Sequence, residues 1–355
     1  MSRFLDESLQ SIVPYTPGEQ PQDMQYIKLN TNESPYAPSQ KVLDAVNCDE
    51  VAKLRLYSDP TTKVLDSAIA DFYKVDVNNV ISGNGSDEIL AFAFKAFCGT
   101  KGMAFPDVTY GFYPVFCQLF GIKQNVVPLD QNFCINVDDY KDISDNVIIA
   151  NPNAQTGICL DLDEIEKLVC QNKDRVVIVD EAYVDFGAQT AVPLTKKYDN
   201  LLVIQTMSKS RQLAGARVGF AIGCESLIND LKTIKFSFNP YNVNRLSIIA
   251  GAEAIKDSDY FEDCCLKIQD SRKYLVDCLE KLGFVVLPSK ANFVLAKHEK
   301  ICGSDLYQQL KQKGILVRHL KDERIKDFVR ITVGTNEQIK KLAYTLAGIL
   351  FGANV

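Results

Sequence analysis

The sequence predicts an α/β protein whose main body is a largely parallel sheet covered by helices. Three observations carry this. Short runs of Val, Ile and Leu recur, among them Val147–Ala150, Val176–Val179 and Leu202–Gln205, and they are continuous rather than alternating. Strands buried on both faces have that texture. Between the runs lie stretches with apolar residues at helical spacing, such as Leu162–Gln171 and Ser226–Lys235, which suit crossover helices. Beyond about residue 240 the texture changes to a long helical region and then short strands. A chain of 355 residues fits one large domain and a smaller one better than a single core.

The elements are expected in this order. The first 40 residues hold Pro14, Pro17, Pro21, Pro35 and Pro38 with little periodicity, and read as an extended arm. Seven strands are expected next, at Val80-Ile81, Met103–Phe105, Val126–Val127, Val147–Ala150, Val176–Val179, Leu202–Gln205 and Val218–Ile222. A helix should follow Ser82–Glu88, since Ile89, Leu90, Ala93, Phe94, Ala96 and Phe97 share one broad face. Asp87 and Glu88 suit its first turn, where the helix dipole favours acidic groups. The later helical region runs to Leu282 with a break near Lys256-Asp257-Ser258. Short strands at Phe284–Leu287, Asn292–Ala296, Ile315–Arg318 and Phe328–Val333, with helices at Ser304–Lys313 and Glu337–Phe351, complete the chain. The expected division is an arm at 1–40 that packs on the small domain, a large domain at 41–250 and a small one at 251–355.

Composition narrows the function. The net charge is −6 and the pI is near 5.2, whereas a nucleic-acid footprint would be basic and clustered. No apolar stretch is long enough for a membrane span, and the first residues lack the apolar core of a signal peptide. A cytoplasmic protein is expected. Eleven cysteines occur without a C-x-x-C pair, and two histidines, His298 and His319, lie outside any cluster with ligand spacing. These thiols are expected to be reduced, and no metal site is expected.

Five segments carry chemistry. Gly83-Asn84-Gly85-Ser86-Asp87 lies between a strand and a helix start, where unpaired backbone N–H groups favour an anion such as phosphate. The same turn also reads as a plain strand–helix connection. It misses the dinucleotide fingerprint because Glu88 stands where the third glycine belongs, and no P-loop pattern occurs. Asn151–Gly157 follows a buried strand, and Asn153 could hydrogen-bond a phenolic oxygen or simply make a turn. Asp180 ends the run Val176–Val179, where open α/β sheets bind ligands. It could pair with a protonated ring nitrogen or cap a helix, and Tyr183 could donate to a ring oxygen. Lys209 follows the run Leu201–Ile204 between Ser208 and Ser210; it could hold an aldehyde as a Schiff base once its pKa is lowered, or be a surface lysine. Arg217 enters the next strand, and its fork fits a phosphate.

These segments occur in the order phosphate turn, aromatic segment, Asn turn, Asp–Tyr, Ser–Lys–Arg. In that order the chain resembles the fold-type I pyridoxal-phosphate enzymes and, more narrowly, the histidinol-phosphate aminotransferase family. The resemblance spans nearly the whole chain, from Leu29–Tyr36 and Tyr57–Pro60 through Gly83–Glu88, Asp180–Tyr183 and Ser208–Arg217 to Arg330–Thr335. It implies a seven-stranded, mainly parallel sheet in the large domain and pyridoxal 5′-phosphate as cofactor. It implies that Lys209 bonds the cofactor and shuttles the proton between Cα and C4′. Asp180 would hold the pyridine nitrogen protonated, Tyr183 and Asn153 the 3′-oxygen, and Tyr110 would stack on the ring. Backbone groups at Gly85, Ser86 and Asp87, with Thr206, Ser208 and Arg217, would hold the phosphate. Tyr57 would reach the cofactor of a neighbouring subunit, implying a homodimer with shared sites. Tyr15, Asn32, Arg318 and Arg330 would bind the substrate.

One departure stands out. The family commonly reads Asn-Asn-Pro-Thr-Gly where this chain has Asn153-Ala154-Gln155-Thr156-Gly157. Asn153 is expected to take the ring contact; if the following position normally does, the assignment is off by one.

The implied reaction converts L-histidinol phosphate and 2-oxoglutarate to imidazole-acetol phosphate and L-glutamate, by alternation of the cofactor. Threonine-phosphate decarboxylase and aromatic amino-acid aminotransferase are the related alternatives. A non-catalytic regulator on the same fold is the alternative from another class; such proteins carry a DNA-binding segment for which the proline-rich arm leaves little room.

Overall fold

The computed structural model describes residues 2–352. The arm runs through one 3-10 turn at Glu7–Leu9 to a two-residue strand, β1 (Ile27–Lys28). Three helices follow: α1 (Gln40–Ala45), α2 (Cys48–Ala52) and α3 (Lys63–Tyr73). Ser39 and Asn47 cap the first two by accepting backbone N–H bonds, the role for which short polar side chains are suited.

The main sheet then forms. In chain order it comprises β2 (Val80–Gly83), α4 (Ser86–Phe97), β3 (Met103–Pro106), α5 (Phe112–Phe120), β4 (Gln124–Val127) and β5 (Asn146–Ala150). It continues with α6 (Leu162–Cys170), β6 (Val177–Asp180), β7 (Leu201–Thr206), β8 (Gly219–Gly223) and α7 (Glu225–Phe238). The spatial order is β2-β8-β7-β6-β5-β3-β4. The pairs from β7 to β4 are parallel, and β8 is antiparallel to both of its neighbours. The strands are continuous apolar runs because both faces are covered. Ile148, Ile178 and Ile204 join the core on one face, while Val147, Ile149, Val177, Val179 and Val203 join the core on the other. Successive side chains of a strand point to opposite faces, and each such burial contributes about 1.5–3 kcal/mol.

This topology aligns the ends of five strands along one end of the sheet. Ala150 is in register with Asp180, Asp180 with Ile204, Thr206 with Gly219, and Gly219 with Gly83. Because β8 runs backwards, its first residue lies where its neighbours end. The Arg217 turn therefore arrives at the same end as Gly83, Asp180 and the lysine segment.

The rest of the chain is α8 (Arg245–Lys256), α9 (Ser258–Lys281), β9 (Val285–Val286), β10 (Phe293–Lys297) and α10 (Gly303–Gln312). It ends with β11 (Ile315–Leu316), β12 (Arg318–His319), β13 (Val329–Thr332) and α11 (Asn336–Phe351). A break at Asp257 separates α8 from α9, as the charged triplet there predicts. An antiparallel sheet runs β12-β13-β10-β9, and β11 instead pairs in parallel with β1 of the arm. The single strand expected over Ile315–Arg318 is thus two, because the chain changes sheets at Val317. Thr335 and Gln338 form a capping box at the start of α11.

Candidate active site

A cavity of about 290 Å³ opens where the strand ends meet the antiparallel sheet. Lys209, Asp180, Tyr183, Thr206, Ser208, Arg217, Ser86, Asp87, Tyr110, Asn32, Tyr15, Arg318 and Arg330 all line it. Three of the sequence candidates do not line it: Gly85, Asn153 and Tyr57.

Lys209 sits three residues past the end of β7, and its Nζ donates to Thr31 O at 3.0 Å. Burial lowers its pKa to about 8, with Arg330 adding to the effect while Glu33 and Asp87 oppose it. A lowered pKa supplies free amine near neutrality. Across the cavity floor, Asp180 is pushed up to about 6 by burial, against the hydrogen bonds of Tyr113 and the Ala182 N–H. A carboxylate raised by burial is relieved by a cation placed against it. The Tyr113 hydroxyl donates to Asp180 Oδ2 at 2.8 Å. Tyr113 escaped the sequence reading because α5 is apolar along most of its length; its hydroxyl is visible there only as one of several aromatic residues.

The phosphate turn opens α4, which has no side-chain cap, so its first N–H groups are free for an anion. Arg217 leans over this turn. Its Nη2 lies 3.1 Å from Asp87 Oδ2, and Nη1 lies 3.5 Å from Ser208 Oγ. Ser208 also bonds Thr206, their hydroxyls 3.0 Å apart. Gly85 has φ 86°, and a Cβ there would come within 2.5 Å of Arg217 Nη2. A Cβ at Gly219 would lie 2.1 Å from Ser86 N. Gly219 is therefore required by close approach to the backbone, and Gly85 by its positive φ. Tyr110 is held over the same end by its hydroxyl, which donates to Asp87 Oδ1 at 2.7 Å. These groups fit pyridoxal 5′-phosphate: an uncapped helix start and a guanidinium for the phosphate, an amine for the aldehyde, and a carboxylate for the ring nitrogen.

On the far wall Arg318 and Arg330 are directly opposite each other on β12 and β13. Like charges in such a pair repel unless an anion joins them. Arg318 donates to Pro17 O at 2.9 Å and Thr16 O at 2.7 Å, fastening the arm. Arg330 donates to Ala154 O at 2.8 Å and Gln155 Oε1 at 3.0 Å. Its Nε is buried without a partner, a cost that an incoming anion removes. Tyr15 reaches the site by stacking on Phe112, with centroids 4.3 Å apart.

The placement of Asn153 is corrected by its hydrogen bonds. Its Nδ2 donates to Val108 O at 2.8 Å, and its Oδ1 accepts from Gln155 N at 2.9 Å and Thr156 N at 3.0 Å. Both ends of the carboxamide are thus spent, the oxygen within its own loop and the nitrogen on the segment after β3. The next residues, Ala154 and Gln155, line the cavity instead. Tyr57 is 81% exposed and stacks on Tyr241 at 4.6 Å, away from its own chain's cavity.

A family model described as aminotransferase class I and II matches residues 24–346. The chain is similar to a protein of Brachyspira hyodysenteriae named histidinol-phosphate aminotransferase: 52% identical over 353 residues, covering 98% of this chain and 99% of that one. The crystal structure of the histidinol-phosphate aminotransferase from Clostridium acetobutylicum superposes with a TM-score of 0.84 at 26% identity, covering 92% of this chain and 100% of that one. That of the Sinorhizobium meliloti histidinol-phosphate aminotransferase in complex with pyridoxal-5′-phosphate superposes at 0.88 with 20% identity, covering 99% of each.

Proposed function

Because this chain belongs to the class I and II aminotransferases, we propose that it transfers the amino group of L-histidinol phosphate to 2-oxoglutarate. The products are imidazole-acetol phosphate and L-glutamate, a step of histidine biosynthesis, with pyridoxal 5′-phosphate as cofactor. The observation that carries this reading is one cavity with Lys209, Asp180 and Arg217 on one side and the Arg318–Arg330 pair on the other. The similarity to the Brachyspira hyodysenteriae protein over nearly the full length supports the substrate.

When bound, the cofactor supplies an aldehyde for amines and an electron-withdrawing ring that stabilises negative charge at Cα. The chain does the rest. Ser86 and Asp87 backbone N–H groups, Ser208, Thr206 and Arg217 hold the phosphate and so fix the ring's position. Asp180 keeps a proton on the ring nitrogen, a charge-assisted bond worth roughly 1.5–3 kcal/mol. Tyr183 would donate to the ring oxygen, and Tyr110, which lines the same cavity, would pack against the ring. Lys209 Nζ, as a free amine beside the substrate, would take the proton from Cα. Its lowered pKa leaves it able both to accept and to return a proton near neutral pH. Arg318 and Arg330 read the substrate's phosphate or, in the second half-reaction, a carboxylate of 2-oxoglutarate; Tyr15 and Asn32 close the site.

A homodimer with shared sites fits the exposure of Tyr57 and of Phe238, 78%, since a partner would cover both. A cytoplasmic location fits the free cysteines of the described residues.

The experiment is a substrate panel of histidinol phosphate, threonine phosphate, phenylalanine and histidine, following glutamate and carbon dioxide. Glutamate formation fastest from histidinol phosphate is expected. Carbon dioxide release from threonine phosphate would assign the site to decarboxylation instead.

A further inference from the structure

We infer that Asn32 and Thr332 are positioning residues that fix the Tyr183 hydroxyl as a donor into the cavity, toward the cofactor's ring oxygen. The inference rests on the proposed cofactor. It begins with a gap in the wall: the Asn153 carboxamide is spent on Val108 O and on its own loop's N–H groups, and Ala154 offers the cavity only a methyl. The Asn153-Ala154 pair thus gives a ring oxygen no side-chain donor, whereas the Tyr183 hydroxyl lines the same cavity.

A tyrosine hydroxyl can donate or accept, so its direction must be set. The Tyr183 hydroxyl accepts from Asn32 Nδ2 at 3.0 Å. The Asn32 carboxamide is oriented in turn by Thr332, whose Oγ1 donates to Asn32 Oδ1 at 3.0 Å. Thr332 Oγ1 also accepts the Asn32 backbone N–H at 3.0 Å, and its proton points to Asn32 Oδ1 because an amide oxygen can only accept. Asn292 Nδ2 donates to Asn32 O at 2.9 Å. The donor–acceptor chain therefore runs one way, from Thr332 through Asn32 to Tyr183. The Tyr183 proton is its free end, and it faces the cavity that Tyr183 lines.

The three residues are built for this. Asn32 is 1% exposed, Thr332 3% and Tyr183 7%. Asn32 has φ 56°, a left-handed conformation that asparagine tolerates better than most residues. Arg330, Asp180 and Tyr15 also act on Tyr183 through their charge, and none of them is altered in the variants below.

A donor at the ring oxygen stabilises the oxygen's negative charge. Without it the bound cofactor keeps its proton to higher pH. The test is the pH midpoint of the bound cofactor's absorbance, together with cofactor retention on dialysis. Asn32→Asp supplies only acceptors, so the Tyr183 proton turns away from the cavity. The midpoint should rise by about one pH unit, matching Tyr183→Phe, and the double variant should rise no further. Asn32→Gly keeps the left-handed backbone while removing the carboxamide, and Thr332→Val removes the lock at nearly constant shape; both should raise the midpoint by a smaller step. An unchanged midpoint in folded, coloured Asn32→Asp and Thr332→Val overturns the inference, as does additivity in the double variant. A wild-type protein that takes up no cofactor overturns the functional reading and this inference with it, so the two failures are distinguishable.

Discussion

At Lys209 the outcome depends on one proton. Burial lowers the amine's pKa to about 8, below the ordinary lysine value, so the charged form loses ground on folding. Below that value the amine is protonated and cannot attack an aldehyde; above it the amine is free. Uptake of pyridoxal phosphate by the cofactor-free protein should therefore accelerate about tenfold per pH unit up to about pH 8 and then level off. Stopped-flow absorbance reads this directly, and a rate still climbing at pH 10 would contradict the shift. At this scale the sequence is most readable where chemistry demands a residue type: Lys209, Asp180, Tyr183 and Arg217 stand beside strands, each open to a plainer reading until their order gives the family resemblance, and all four meet in the cavity. It is least readable at Asn153, because which asparagine of a turn faces inward depends on where the loop's own N–H groups find acceptors.

At the scale of elements, the phosphate end is a helix start seated between two glycines. Gly85 has φ 86°, and its missing Cβ makes room for Arg217. Gly85→Ala should cost about 1–2 kcal/mol in backbone strain and push the guanidinium away. Cofactor affinity should fall about tenfold or more, with the circular dichroism spectrum retained. Equal affinity by fluorescence titration would show that Arg217 has slack. The strands themselves could be read from continuous Val and Ile runs. The reversal of β8 could not, since a five-residue run carries no sign of its direction. Yet that reversal brings Arg217 beside Gly83 and Ser208. Likewise the split of Ile315–Arg318 is decided by the partners β1 and β13, which lie far away in sequence.

For the whole molecule, the arm and the two sheets converge on one cavity. Thr31 receives the Lys209 amine, and Arg318 grips Thr16 and Pro17. No helix among the described residues is long and apolar enough to cross a membrane. A second copy of the chain, as proposed, would cover the exposed Tyr57–Tyr241 stack. If sites are shared, inactive Tyr57→Phe and Lys209→Ala proteins, mixed under conditions that exchange subunits, should recover up to about a quarter of wild-type activity per site, the random-pairing share. No recovery despite demonstrated exchange would place Tyr57 outside the neighbouring site.

The most direct measurement is reduction of the holoprotein with borohydride, followed by peptide mapping. The cofactor should be fixed irreversibly to the peptide that contains Lys209, and Lys209→Ala should retain none after dialysis. Label on another lysine, or a protein that takes up no cofactor at all, would contradict the assignment of this cavity as the active site.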